Sequence, residues 1–213
     1  MIKFIKLVAF IGFLAIVTAG CKKTYFSDGG TPVDVSGNLG VSTMDYLQRE
    51  TTSFDTLVRL IKLSNLESAV NAKGNTFLAP RDYSIHNYFK LLYPDQAKMP
   101  STLEALPQVV KDDIARILKN YIIPNQQIVR GGLTTAYSYV TTYGGTKARF
   151  NIVNTDYLGN VNMGAKYINF SLNVSPAGTT EVYQTAQVVT ADLKSTNGIV
   201  HVLVSETHIF GFN

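Results

Sequence analysis

The sequence predicts an α+β fold in a single domain, on three observations. Apolar residues recur at helical spacing in the first half of the chain. In the second half they alternate with polar ones, as in half-buried strands. The two patterns do not interleave as they would around a parallel α/β sheet. With 213 residues, 46% of them hydrophobic, the chain can bury one sizeable core. Only 16% are charged, and 12 Tyr, 11 Phe and 16 Gly fit a β-rich globule better than a disordered chain.

Residues 1–21, "MIKFIKLVAFIGFLAIVTAGC", have the layout of an export signal. Lys3 and Lys6 precede an uncharged run from Leu7 to Ala19, and small residues then lead to Cys21. The run falls short of the roughly 20 residues that span a bilayer. Cys21 is the only cysteine, so no internal disulfide can form. "VTAGC" resembles the lipobox of bacterial lipoproteins, with Thr18 where the best examples carry Leu. This resemblance predicts a lipoprotein signal peptide over 1–20 and lipidation of Cys21. Residues 21–42 hold four Gly and three Ser without apolar periodicity and read as a flexible tether, about 25 Å long on average. One acid, Asp28, follows the cysteine closely, too few to mark export to the cell surface.

The domain is expected over 43–213. Phe54, Leu57, Val58 and Ile61 predict a helix that Ser53 can cap, and Leu66, Ala69 and Val70 a second short one. Thr76–Leu78 reads as a strand stopped by Pro80. Residues 84–92 read as a helix with Tyr88 and Leu91 or Leu92 inward. Pro107 opens a helix carrying Val110, Ile114, Ile117, Leu118 and Tyr121. In 167–174, Ile168, Phe170, Leu172 and Val174 face one side; Tyr167, Asn169, Ser171 and Asn173 face the other. "VYQTAQVV", "IVHVLV" and "HIFGF" are read as further strands, with a tight turn at Asn197-Gly198.

Little in this sequence points to catalysis. Its three histidines, His86, His201 and His208, make no i, i+4 pair, and no metal-ligand set or cofactor motif is visible. Asp112 and Asp113 read as a solvated helix face. There is no nucleophile elbow, and the Gly pairs of "RGGLTT" and "YGGTK" read as turns. The formal charge of +4 comes without a dense Lys/Arg cluster, so no nucleic-acid partner is expected. His201 lies in an apolar run, "TNGIVHVLV", as on a buried central strand, where the imidazole is a scaffold element. Tyr137, Tyr139 and Tyr143 read as alternating positions of one strand face, which is either a half-exposed surface or a platform for sugars.

Three stretches together resemble the fasciclin (FAS1) family. "FDTLVRLIKLSNLESAVNAKGNTFLAPRDYSI" is similar to its first half, with Thr76, Phe77, Ala79 and Pro80 in the first signature. "ADLKSTNGIVHVLV" is similar to the second, with Asp192, Asn197, Gly198 and His201 in place. "ILKNYIIPN" lies where the family carries a Tyr-His pair, but here that pair is Asn120-Tyr121. The resemblance spans about 43–213 and implies a β-sandwich or wedge with several helices packed on one side, its signature residues mainly structural. Together with the lipobox it is similar to fasciclin-domain lipoproteins of Bacteroidetes type. It implies binding rather than catalysis. Animal members contact integrins through an Asp-Ile pair at the position of Asp192-Leu193.

The resulting expectation is a non-catalytic adhesion or protein-interaction lipoprotein without a cofactor. It would sit in the bacterial cell envelope at the outer membrane, held by its lipid anchor, with an envelope or extracellular protein or a glycan as partner. The competing expectation is an accessory glycan-binding lipoprotein of a nutrient-uptake system, which requires the three tyrosines to be exposed.

Overall fold

The computed structural model describes residues 37–212. The signal segment, Cys21 and most of the expected tether lie outside the described residues. The last stretch of that tether, 37–42, is hydrogen-bonded to the domain. Lys194 N–H donates to the Gly37 carbonyl (2.7 Å), Leu39 N–H to the Lys194 carbonyl (2.8 Å) and Thr196 N–H to the Val41 carbonyl (2.9 Å).

Helices come first. Helix α1 (Thr43–Arg49) is capped by Ser42, whose hydroxyl accepts from the Asp45 N–H. Helix α2 (Thr51–Leu63) buries Phe54, Leu57, Val58, Leu60 and Ile61. Its N-cap is Glu50, so Ser53 lies inside the helix and does not cap it. Helix α3 (Glu67–Val70) and strand β1 (Asn75–Ala79) follow, then α4 (Asp82–Leu92) and α5 (Gln108–Lys119). In α4 the inward residues are Ile85, Tyr88 and Phe89. Leu91 and Leu92, one of which was expected inward, are exposed: they lie three and four residues on from Tyr88, but they are the last two residues of the helix and its buried stripe ends with Phe89.

The remaining strands are β2 (Ile122–Ile123), β3 (Ser138–Thr141), β4 (Lys147–Asn154), β5 (Lys166–Asn173), β6 (Tyr183–Lys194) and β7 (Gly198–Leu203). Among the described residues they form one seven-stranded sheet, in the order β2-β1-β7-β6-β5-β4-β3. The β1–β7 pair is parallel. Both strands are buried along their whole length, which fits the apolar Phe77–Ala79 of β1 and the apolar residues on either side of His201 in β7. In β4 and β5 residues alternate instead: Ala148, Phe150, Ile152, Ile168, Phe170 and Leu172 face the core. Val174, expected to continue that face, lies past the end of β5 and is exposed.

Strand β6 serves two ladders in succession. Residues 183–187 pair with β5 and residues 188–194 with β7. Within the β6–β7 ladder the register shifts twice, at Val188/Thr190 and Thr190/Leu193, and Asp192 takes φ +60°. Such bulges bend a strand and sharpen its twist.

"HIFGF" is not a strand. Gly211 and Phe212 have φ of +87° and +60°, which no ladder accommodates. The segment instead folds over Tyr121. Phe210 stacks on its ring at 5.5 Å, and its hydroxyl accepts from the Gly211 N–H at 2.9 Å. Burying three aromatic groups on one tyrosine outweighs the β propensity of a five-residue run.

Candidate functional site

The signature residues converge on one loop. Thr76 Oγ donates to the Gln126 carbonyl (2.7 Å) and accepts from the Ile128 N–H (2.8 Å). His201 Nε2 lies 2.9 Å from the Ile128 carbonyl, and its Nδ1 accepts from the Asp192 N–H at 3.2 Å. The Asp192 carboxylate accepts from the Arg130 N–H at 2.9 Å. Residues 126–130 are thus held by β1, β6 and β7 together. The bonding fixes His201 as a neutral imidazole protonated on Nε2. Burial lowers its pKa, with Arg130 adding to the effect and the Ile128 carbonyl and Asp192 opposing it.

Phe77 and Ala79 are buried in β1, and Pro80 ends it. Asn197 accepts from the Thr43 N–H (2.8 Å), tying the second signature to the start of α1. At Gly198 a Cβ would collide with the Asn75 backbone carbonyl, because the parallel partner runs so close there. Leu193 is half-buried against the core. The candidate interaction pair Asp192-Leu193 therefore sits in the bulge, its carboxylate and apolar side chain already engaged.

Tyr121, at the family's Tyr-His position, is fully buried. Since its hydroxyl accepts from Gly211, its own proton points to His208 Nε2, 2.9 Å away. Burial raises the pKa of Tyr121 and lowers that of His208 to about 4. Beside this cluster lies a cleft of about 700 Å³ between α4, α5 and the ends of β5 and β6, lined by Tyr88, Arg116, Asn120 and Phe212 among others. Among the described residues no three His, Cys, Asp or Glu are grouped to hold a metal.

A second candidate surface is the outer face of β3–β6. Tyr137 and Tyr139 are 49% and 61% exposed, with ring centroids 6.4 Å apart. Tyr143 does not share their strand face. Strand β3 ends at Thr141, and Tyr143 sits in the turn closed by Gly145 at φ +81°, exposed but with its N–H donated to the Ile122 carbonyl. Sequence reasoning missed the center of this face, Arg149. Its guanidinium lies 3.8 Å from the Tyr137 ring centroid and 3.9 Å from that of Tyr183. Lys147 donates to Glu181, which also accepts from the Tyr183 hydroxyl at 2.9 Å. The first bond raises the pKa of Lys147 and lowers that of Glu181. Alternation along "KARFNIVN" puts Arg149 outward, but only the strand register reveals its two tyrosines.

A family model for the fasciclin domain matches residues 52–205. The chain belongs to the fasciclin-domain family. Its α+β fold is that of a FAS1 domain, a fold in which helices accompany a mixed sheet. Among solved structures, a FAS1 domain pair from the insect cell adhesion molecule fasciclin I is similar at 16% identity and TM-score 0.43. The match covers 80% of this chain and 46% of that one, so the chain spans about half the length of the structure it matches. No curated protein matches. Fasciclin domains are typically adhesion or protein-interaction modules.

Proposed function

We propose that this fasciclin domain is a non-catalytic adhesion or protein-interaction module, tethered through lipidated Cys21 to the outer membrane of a bacterial envelope. One observation carries the non-catalytic part. The polar residues of both signatures are bonded to backbone groups of the domain itself, with His201 fully buried. A general base must reach a substrate proton, and this imidazole reaches only Asp192 and Ile128. The anchoring rests on "VTAGC" and the apolar leader before it.

Growth with labeled palmitate tests the anchor. The protein should carry label and fractionate with membranes, and Cys21→Ser should abolish both. Label persisting in Cys21→Ser would refute it. Protease treatment of intact cells then places the domain on the outer surface, if it is cleaved, or on the periplasmic side.

The second reading, a glycan-binding accessory lipoprotein, is favored by the exposure of Tyr137 and Tyr139 beside Arg149. Rings held rigid on a sheet can stack on sugars at little entropic cost.

A further inference from the structure

The outer face of β3–β6 is laid out as a row. Register pairs Tyr139 with Arg149, Arg149 with Ser171, and Ser171 with Thr185, across four strands. At 4.7–4.9 Å per strand the row is about 14 Å long. Beside it runs a second row, Asn151–Asn169–Gln187. Between Tyr139 and Thr185 neither row contains an aliphatic side chain.

Arg149 is the unusual member. A guanidinium has two faces and an edge, and here both faces are covered by tyrosine rings. Among the described residues none of its N–H groups has a hydrogen-bond acceptor, and its Nε is buried without a partner. No carboxylate pairs with it: Glu181 senses its charge, yet its oxygens go to Lys147 and Tyr183. The two rings hold the cation by cation–π attraction but satisfy none of its hydrogen-bond donors. The donors left over lie along the guanidinium edge, the geometry that reads a planar carboxylate.

From this we infer that the β3–β6 face binds an acidic polysaccharide, with a uronate carboxylate on the Arg149 edge and a neighboring sugar ring on Tyr139. The amides of Asn151, Asn169 and Gln187 supply hydrogen bonds to the sugar hydroxyls, while Ser171 is buried and its hydroxyl is taken by Thr185 at 2.8 Å. An acidic peptide fits the surface less well. Peptides dock by extending a sheet edge or filling an apolar groove, whereas Arg149 and the amide row lie on β4–β6, inside the face and away from its β3 edge. The inference rests on the glycan-binding reading and narrows it to a ligand class.

Titration calorimetry of the full chain in detergent tests it, with polygalacturonate, dextran and poly-glutamate as probes. Polygalacturonate should bind at least about tenfold more tightly than either of the others. Arg149→Lys should weaken it about tenfold or more, because a lysine has no planar edge. Tyr139→Ala should weaken it similarly with an unchanged melting temperature, which separates lost contact from lost fold. Dextran binding that equals polygalacturonate binding and survives Arg149→Lys would overturn the acidic ligand while leaving a glycan face. Tighter binding to poly-glutamate would make the face a peptide site and overturn the inference. Binding of none of the three would remove both the inference and the glycan reading, leaving the Cys21 anchor to its own test.

Discussion

The β1–β7 ladder and the outer face of β3–β6 use polar residues in opposite ways. In the ladder, Thr76, Asp192 and His201 are spent on the backbone of one loop. On the outer face, Arg149 is held between the Tyr137 and Tyr183 rings, and both it and the exposed Tyr139 are left without a polar partner. The residues that identify the family are therefore those least available to a ligand. The residues available to one sit where no signature points. A family signature here is a record of folding constraints, and function has to be sought on a different face.

The comparison breaks most severely at Gly198. Gly198→Ala forces a Cβ against the Asn75 carbonyl in a fully buried parallel pair. A loss of about 2–3 kcal/mol is expected, read from the denaturant midpoint. A neutral substitution would mean that β1 can move away, and that the ladder is less rigid than its burial implies.

Acid acts on the ladder through His201 and on the C-terminal cluster through His208, with a comparable effect. His201 and His208 are both held below the ordinary histidine value of 6.5, mainly by burial. As pH falls, the unfolded chain takes up these protons before the fold does. Stability is therefore complete above about pH 6.5 and declines toward pH 4, His208 alone accounting for about 3 kcal/mol across that window. Glu104, Glu181 and Glu206 have lowered pKa values and titrate below the upper part of the window, which leaves it to the histidines. Chemical denaturation at pH 7 and pH 5 measures the slope, and a flat profile would contradict the bonding assigned to both rings.

Most of the fold was legible because its drivers are local. Helical spacing marked α2, alternation marked β5, and two apolar runs marked the buried β1 and β7. The misses are tertiary in origin. "HIFGF" has a strand's composition but obeys Tyr121, 87 residues earlier for His208 and 90 for Gly211. Leu91 and Leu92 are apolar yet face out, because the inward stripe of α4 ends with Phe89. Helix α1 passed unnoticed behind the Gly- and Ser-rich stretch that precedes it. On the candidate surface, Tyr137 and Tyr139 could be named from spacing alone. Arg149 and Tyr183 could not, since a cation sandwiched by residues of two other segments depends on register across β3–β6.

One paired measurement addresses the central claim, that the ladder makes the fold and the outer face makes the contact. Melting temperature and polygalacturonate affinity are compared for His201→Ala and Tyr139→Ala. His201→Ala should cost about 3 kcal/mol by removing two bonds and leaving a buried gap, while the protein that remains folded binds as before. Tyr139→Ala should leave stability within about 0.5 kcal/mol and lose the binding. The reverse pattern, with affinity lost at His201 and an unchanged melting temperature, would contradict the account.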